Sequence, residues 1–130
     1  MNNTDLSAFH ELYMKTASAY IHDLKALLAS DWQTRSTRET EEKLYIIAHS
    51  LSSQSTAMNY TKIAALCNTF EKIFYQIKEK GRVLTDQLIQ ELQGATTTLE
   101  DALSGLEKTG EEPDLTETVE KLNKNVLSDM

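Results

Sequence analysis

Apolar positions recur at three- and four-residue steps along almost the whole chain, and no segment alternates strictly enough to be a strand. The first periodic segment runs from about Leu6 to Ala29, with Phe9, Leu12, Tyr13, Ala17, Tyr20, Leu24, Leu27 and Leu28 as its stripe. Ser30-Asp31-Trp32-Gln33-Thr34 breaks the pattern. Ser36-Thr37-Arg38-Glu39 then has capping-box spacing, serine at the cap and glutamate three positions on. A second helix follows to about Ala57, buried along Leu44, Ile47, Ala48, Leu51 and Met58.

Asn59 is placed to cap a third helix, whose Ile63, Leu66, Phe70, Ile73, Phe74 and Ile77 share one face before Lys80-Gly81 stops it. Thr85 or Asp86 starts a fourth, carrying Leu88, Ile89, Leu92, Leu99, Leu103 and Leu106. Gly94 inside it costs roughly 1 kcal/mol against alanine and marks either a close helix approach or a local weakness. Glu111-Glu112-Pro113 reads as a linker, and Asp114-Leu115-Thr116-Glu117 repeats the capping-box spacing. The fifth helix, about 114–128, has a thin stripe of Leu115, Val119, Leu122 and Val126 and should pack on the outside of the others. The expected fold is all-α: an antiparallel up-and-down four-helix bundle with an appended C-terminal fifth helix, forming a single domain over 1–130.

Composition agrees with this. At 130 residues, with 40% hydrophobic and 25% charged residues, the chain can bury one core without metal or disulfide staples. The single cysteine, Cys67, falls at core spacing and reads as a buried thiol in a reducing compartment. No apolar run approaches the roughly 20 residues of a membrane span. Met1-Asn2-Asn3-Thr4-Asp5 lacks the basic and apolar regions of a signal peptide, so a cytoplasmic protein is expected. A net charge of −7 with scattered basic residues disfavours nucleic acid as a partner.

Candidate chemistry narrows quickly. The chain has no P-loop, Gly-rich dinucleotide fingerprint or kinase signature, and no glycine-flanked serine elbow. His10, His22 and His49 have no carboxylate or cysteine at zinc-ligand spacing, so neither a metal nor a cofactor is expected. His49 differs from a core histidine: the helical step places it about 140° from the centre of its helix's apolar stripe. Tyr45 and Ser53 lie one turn to either side on that face, within a stretch, Ser52-Ser53-Gln54-Ser55-Thr56, that is unusually polar for mid-helix. An imidazole held out to solvent can attack a phosphoryl group with one nitrogen if the other carries the proton and is held by an acceptor. Glu71 has the same offset of about 140° on the third helix, and in a hairpin turning near Asn59 the two stand at similar height. An exposed histidine and a solvated glutamate are the ordinary alternative.

These residues resemble the histidine phosphotransfer (HPt) domains, most closely the N-terminal phosphotransfer domain of chemotaxis-type histidine kinases. The family motif reads approximately Ala-His-Ser-Leu-Lys-Gly, then small residues, then Met-Gly-Phe. Ala48-His49-Ser50-Leu51 matches it, Ser55-Thr56-Ala57-Met58 fits the small-residue run, and Asn59-Tyr60 stands where Gly-Phe is usual. Leu66-Cys67-Asn68-Thr69-Phe70-Glu71 continues the likeness, with asparagine where the family often has histidine. Leu84-Thr85 and Glu112-Pro113 extend it.

The resemblance implies that His49 is phosphorylated and that Glu71 holds its other nitrogen. Tyr45, Ser52, Ser53, Thr56 and Asn68 would then face a partner, either a response-regulator receiver domain or a histidine kinase. Two departures stand out: Ser52 replaces the lysine that balances phosphate charge, and Ser53 replaces the glycine that clears space for the partner. The resemblance leaves the missing charge to Lys62 or to the partner. An adaptor that keeps the fold and docks a signalling partner without phosphotransfer is the alternative function; a generic helical chaperone or regulatory subunit would leave the pairing of His49 with Glu71 to chance.

Overall fold

The computed structural model describes residues 3–29 and 38–127, with side chains from residue 7 onward. The described residues form five helices and no strand: α1 (Asn3–Leu28), α2 (Arg38–Ala57), α3 (Thr61–Lys80), α4 (Asp86–Thr109) and α5 (Thr116–Asn125). Helices α1 to α4 close a ring in which each packs against its two neighbours, and α5 lies outside against α3 and α4. Cross-helix bonds show the alternation of direction. Tyr13 meets Ser55 near the start of α1 and the end of α2, while Lys25 meets Glu100 and Gln93 donates to the Leu28 carbonyl between α1 and α4. The four-helix bundle with an external fifth helix is therefore the fold that the periodicity predicts.

The core is one cluster fed by all five helices. Every apolar position expected on α3 is buried, and on α4 only Ile89 is partly exposed. The α1 stripe needs a correction. Phe9 and Leu12 are 48% and 61% exposed, whereas Met14 and Ile21 are buried with Tyr13, Ala17, Leu24 and Leu28. The true line steps through 13, 14, 17, 21, 24 and 28, a phase that periodicity alone could not separate from its flank because both carry apolar residues. Met58 is only partly buried, and the innermost place at that end of α2 belongs to Ser55.

Ser55 is a buried polar residue with its hydroxyl 2.8 Å from that of Tyr13. Either hydroxyl can donate, so each satisfies the other inside the core. Burial pushes the Tyr13 hydroxyl well above its ordinary pKa.

Helix termini are where local signals and structure part company. Asn59 is not the N-cap of α3. It takes the left-handed conformation with φ 63° and closes α2: its N–H donates to the Thr56 carbonyl and the Tyr60 N–H to the Ser55 carbonyl, both at 2.9 Å. This pair of bonds is the Schellman arrangement, in which asparagine is the usual substitute for glycine. The residue preceding α3 is Tyr60, whose side chain caps nothing. The cap comes instead from the linker, where Glu112 Oε1 accepts the Ile63 N–H at 2.8 Å, placing a carboxylate on an orphan donor at the positive end of the helix.

Thr85 caps α4 as expected, accepting from the Leu88 N–H, and Gly81 ends α3 with φ 70°. The second capping box is not formed. Asp114 accepts the Thr116 N–H at 3.0 Å in a local turn, Leu115 precedes the helix, and α5 starts two residues later than expected. Hydrogen bonding from the Thr116 side chain, and then from its backbone N–H, holds the Asp114 carboxyl below its ordinary pKa. The other expected cap, Ser36, lies outside the described residues, as does position 128 at the expected end of α5. Gly94 faces open space, with nothing within 4 Å of where a Cβ would stand, so no close helix approach requires it.

Two outcomes follow from the core. Ser55→Ala leaves the Tyr13 hydroxyl buried without a partner and should destabilise the protein by about 1–3 kcal/mol; adding Tyr13→Phe should recover part of that loss, as read by urea unfolding of the single and double variants. Cys67 is buried and its thiol is pushed up to about 12 by desolvation. It should therefore resist a thiol reagent such as Ellman's at pH 8 in the folded protein and react once the chain is unfolded.

Candidate functional site

The α2–α3 hairpin builds the site. Its turn occupies only residues 58–60, so the two helices run back along each other in a fixed register, and this is the most extensive helix pairing in the molecule. Ala48 and Leu51 on α2, and Phe70 and Ile73 on α3, are buried in the shared core. The helical step then turns His49 and Glu71 outward on the seam between the helices.

His49 Nδ1 lies 3.2 Å from Glu71 Oε2. The histidine side chain is 58% exposed and that of Glu71 22%. A carboxylate can only accept, so in the neutral ring this hydrogen bond puts the proton on Nδ1 and leaves the lone pair on Nε2. Nε2 has no protein partner among the described residues. A solvent-facing nitrogen nucleophile with its tautomer set by a neighbouring helix is a geometry that can accept a phosphoryl group.

The other predicted residues share this face. Tyr45, one turn before His49, is half-buried, and its ring lies 6.1 Å from the imidazole, centroid to centroid, with 17° between the planes. On the turn side, Ser52 is half-buried, while Ser53, Thr56 and Asn68 are exposed. Helix α2 runs unbroken through this polar stretch to Ala57, so its small side chains form an ordered surface. Lys62 is not at the site. It lies in the first turn of α3, nine residues before Glu71, hence about 13 Å lower along the axis.

Two further residues, on α3, complete the face. Lys78 carries its ammonium 5.0 Å above the Tyr45 ring centroid, and the Tyr75 ring stands 6.2 Å from that of Tyr45. Tyr75 follows Glu71 by four positions, as Tyr45 precedes His49 by four. Continuing the pairing that links His49 with Glu71 by one turn away from the hairpin leads to both.

His10 and His22 take no part. His10 Nδ1 is 2.7 Å from the Tyr60 hydroxyl at the turn end of the bundle, and His22 is exposed on α1. Among the described residues no group of three or more His, Cys, Asp or Glu side chains could hold a metal ion. No described helix is long and apolar enough to cross a membrane.

The hydrogen bond to Glu71 has a direct spectroscopic consequence. Wild-type His49 should show the Nδ1–H tautomer in a long-range proton–nitrogen NMR spectrum, and Glu71→Ala should shift the ring toward the Nε2–H form. Because the pair lies at the surface, the same substitution should change stability by no more than about 0.5 kcal/mol.

Comparison with known proteins bears on the same face. The Hpt domain family profile matches residues 8–109, which includes His49 and Glu71 and runs from within α1 to the last residue of α4. The fold is similar to that in a crystal structure of the phosphorylated P1 domain of CheA3 in complex with CheY6 from R. sphaeroides, with a TM-score of 0.84 over 93% of this chain and 97% of that one, at 13% sequence identity. No curated protein sequence matches the chain. With most of its length matched by one family and the bundle matched in three dimensions, the chain belongs to the Hpt domain family.

Proposed function

We propose that the protein is a phosphorelay carrier in which His49 accepts a phosphoryl group and passes it on. The observation that carries this reading is the exposed imidazole whose Nδ1 is engaged by Glu71 and whose Nε2 is free. Membership of the Hpt domain family supports it. So does the structural relative, a phosphorylated domain bound to CheY6.

Nε2 attacks phosphorus in line, forming an N–P bond as the P–O bond to the donor breaks. The donor is an aspartyl-phosphate on a receiver domain, which leaves as a carboxylate, or ATP bound to a separate histidine kinase, which leaves as ADP. The ring gains positive charge as the bond forms, and Glu71 stabilises it through the proton on Nδ1. Return of the phosphoryl group to a receiver aspartate reverses these steps. Metal and most of the electrostatic catalysis belong to the partner.

Tyr45, Ser52, Ser53, Thr56 and Asn68 surround His49 as the partner-facing surface. Phosphorylation adds about −1.5 to −2 charges, and Ser52 offers a hydroxyl where a lysine would offer a cation. With Lys62 too far along α3, the partner supplies the balancing charge. The buried, reduced Cys67 and the absence of a membrane-length apolar helix among the described residues suit a cytoplasmic setting.

The replacement of Lys-Gly by Ser52-Ser53 favours a second reading, an adaptor that docks a signalling partner without transfer. Incubation with a phosphorylated receiver or a chemotaxis-type kinase separates the two. Acid-labile, base-stable label on the wild type, lost in His49→Gln with helicity unchanged, is the expected result. Label retained in His49→Gln would remove His49 from the reaction, and tight binding without label would leave the adaptor.

A further inference from the structure

His49 needs more than a tautomer. A single hydrogen bond at Nδ1 leaves the imidazole free to swing about that contact, and in-line attack requires Nε2 to point along one direction. The Tyr45 ring lies nearly parallel to the imidazole, within the 4.5–7 Å range in which aromatic pairs attract. Tyr45 is itself held from α3, by the Lys78 ammonium over its face and by the Tyr75 ring tilted at 53°. Glu71, Tyr75 and Lys78 thus belong to one helix and engage a pair of rings on the other.

We propose that Tyr45, braced by Lys78 and Tyr75, is the positioning residue of the site, setting the plane of the His49 ring while Glu71 sets its tautomer. This rests on His49 as the phosphoryl acceptor. It differs from a role of Tyr45 in contacting a partner, because a positioning effect persists when no partner protein is present. The brace also couples ring placement to the hairpin: the two contacts that hold Tyr45 come from the far side of the seam, so the imidazole is oriented by the α2–α3 register and not by α2 alone.

The test uses phosphoramidate, a small donor that makes no docking demand. Nε2 forms its bond to phosphorus as the P–N bond of the reagent breaks, and ammonia leaves with the proton. Rates of phosphohistidine formation are measured for the wild type, Tyr45→Leu, Tyr45→Phe and Lys78→Met, with the same four proteins then assayed against a phosphorylated receiver. Tyr45→Leu should slow phosphorylation by phosphoramidate about two- to tenfold, Tyr45→Phe should restore the wild-type rate by restoring the ring, and Lys78→Met should fall between.

A wild-type rate in Tyr45→Leu with phosphoramidate overturns the proposal, as does a loss confined to the receiver assay or a Tyr45→Phe variant as slow as the leucine variant. Failure of the wild type to be labelled at His49 would instead overturn the acceptor assignment, so the two failures are distinct. Should Tyr45→Leu not fold, nuclear Overhauser contacts in the wild type decide: contacts from the Tyr45 ring to the His49 ring support the brace, and their absence excludes it.

Discussion

Pairing of α2 with α3 through a three-residue turn is the constraint on which the site depends. A turn this short permits little variation in register, and register decides which residues face each other across the seam. Asn59 makes the turn possible by adopting a backbone conformation that most residues with a Cβ avoid, while its N–H and that of Tyr60 satisfy the carbonyls at the end of α2. Once the chain reverses there, His49 and Glu71 stand level, and the apolar residues beneath them lock that level into the core.

Polar bonds at the turn end reinforce this register from outside the hairpin. Tyr13 of α1 reaches Ser55 in the core, His10 reaches Tyr60, and Glu112 from the linker before α5 caps the first turn of α3. The first two tie the hairpin to α1 and the third ties it to the linker before α5. Buried or half-buried polar contacts of this kind contribute modestly to net stability, but leaving one unmade is costly, so they discriminate against neighbouring registers more than they add to the total. The face that carries His49 is left exposed.

In the proposed phosphotransfer reading, a nucleophile placed on a rigid helix leaves little further chemistry for the chain to supply. In that reading Glu71 sets the protonation of one nitrogen and Tyr45 its direction, and the bundle holds both side chains in place. Small polar side chains lie on the turn side of His49, while the aromatic cluster on the other side contacts Tyr75 and Lys78 of α3. The two sides of His49 thus differ physically, one of small polar side chains and one aromatic.

Much of this was legible in the residues alone. Helix number, the bundle architecture, the exposed setting of His49 and its level match with Glu71 follow from a 3.6-residue repeat and a short turn, because periodicity fixes faces and turn length fixes height. Thr85 and Gly81 were readable as helix boundaries because their roles are satisfied within a few residues. Tertiary structure decided what local signals leave open. Phe9 and Leu12 are exposed because the bundle selects one of two apolar flanks of α1. Asn59 closes α2 instead of opening α3 because a residue 49 positions after Ile63 supplies the cap. Tyr75 and Lys78 join the site because α3 delivers them to Tyr45. The dividing line is physical: spacing along one helix determines direction, whereas the choice between competing partners belongs to whichever distant group the packed chain brings within reach.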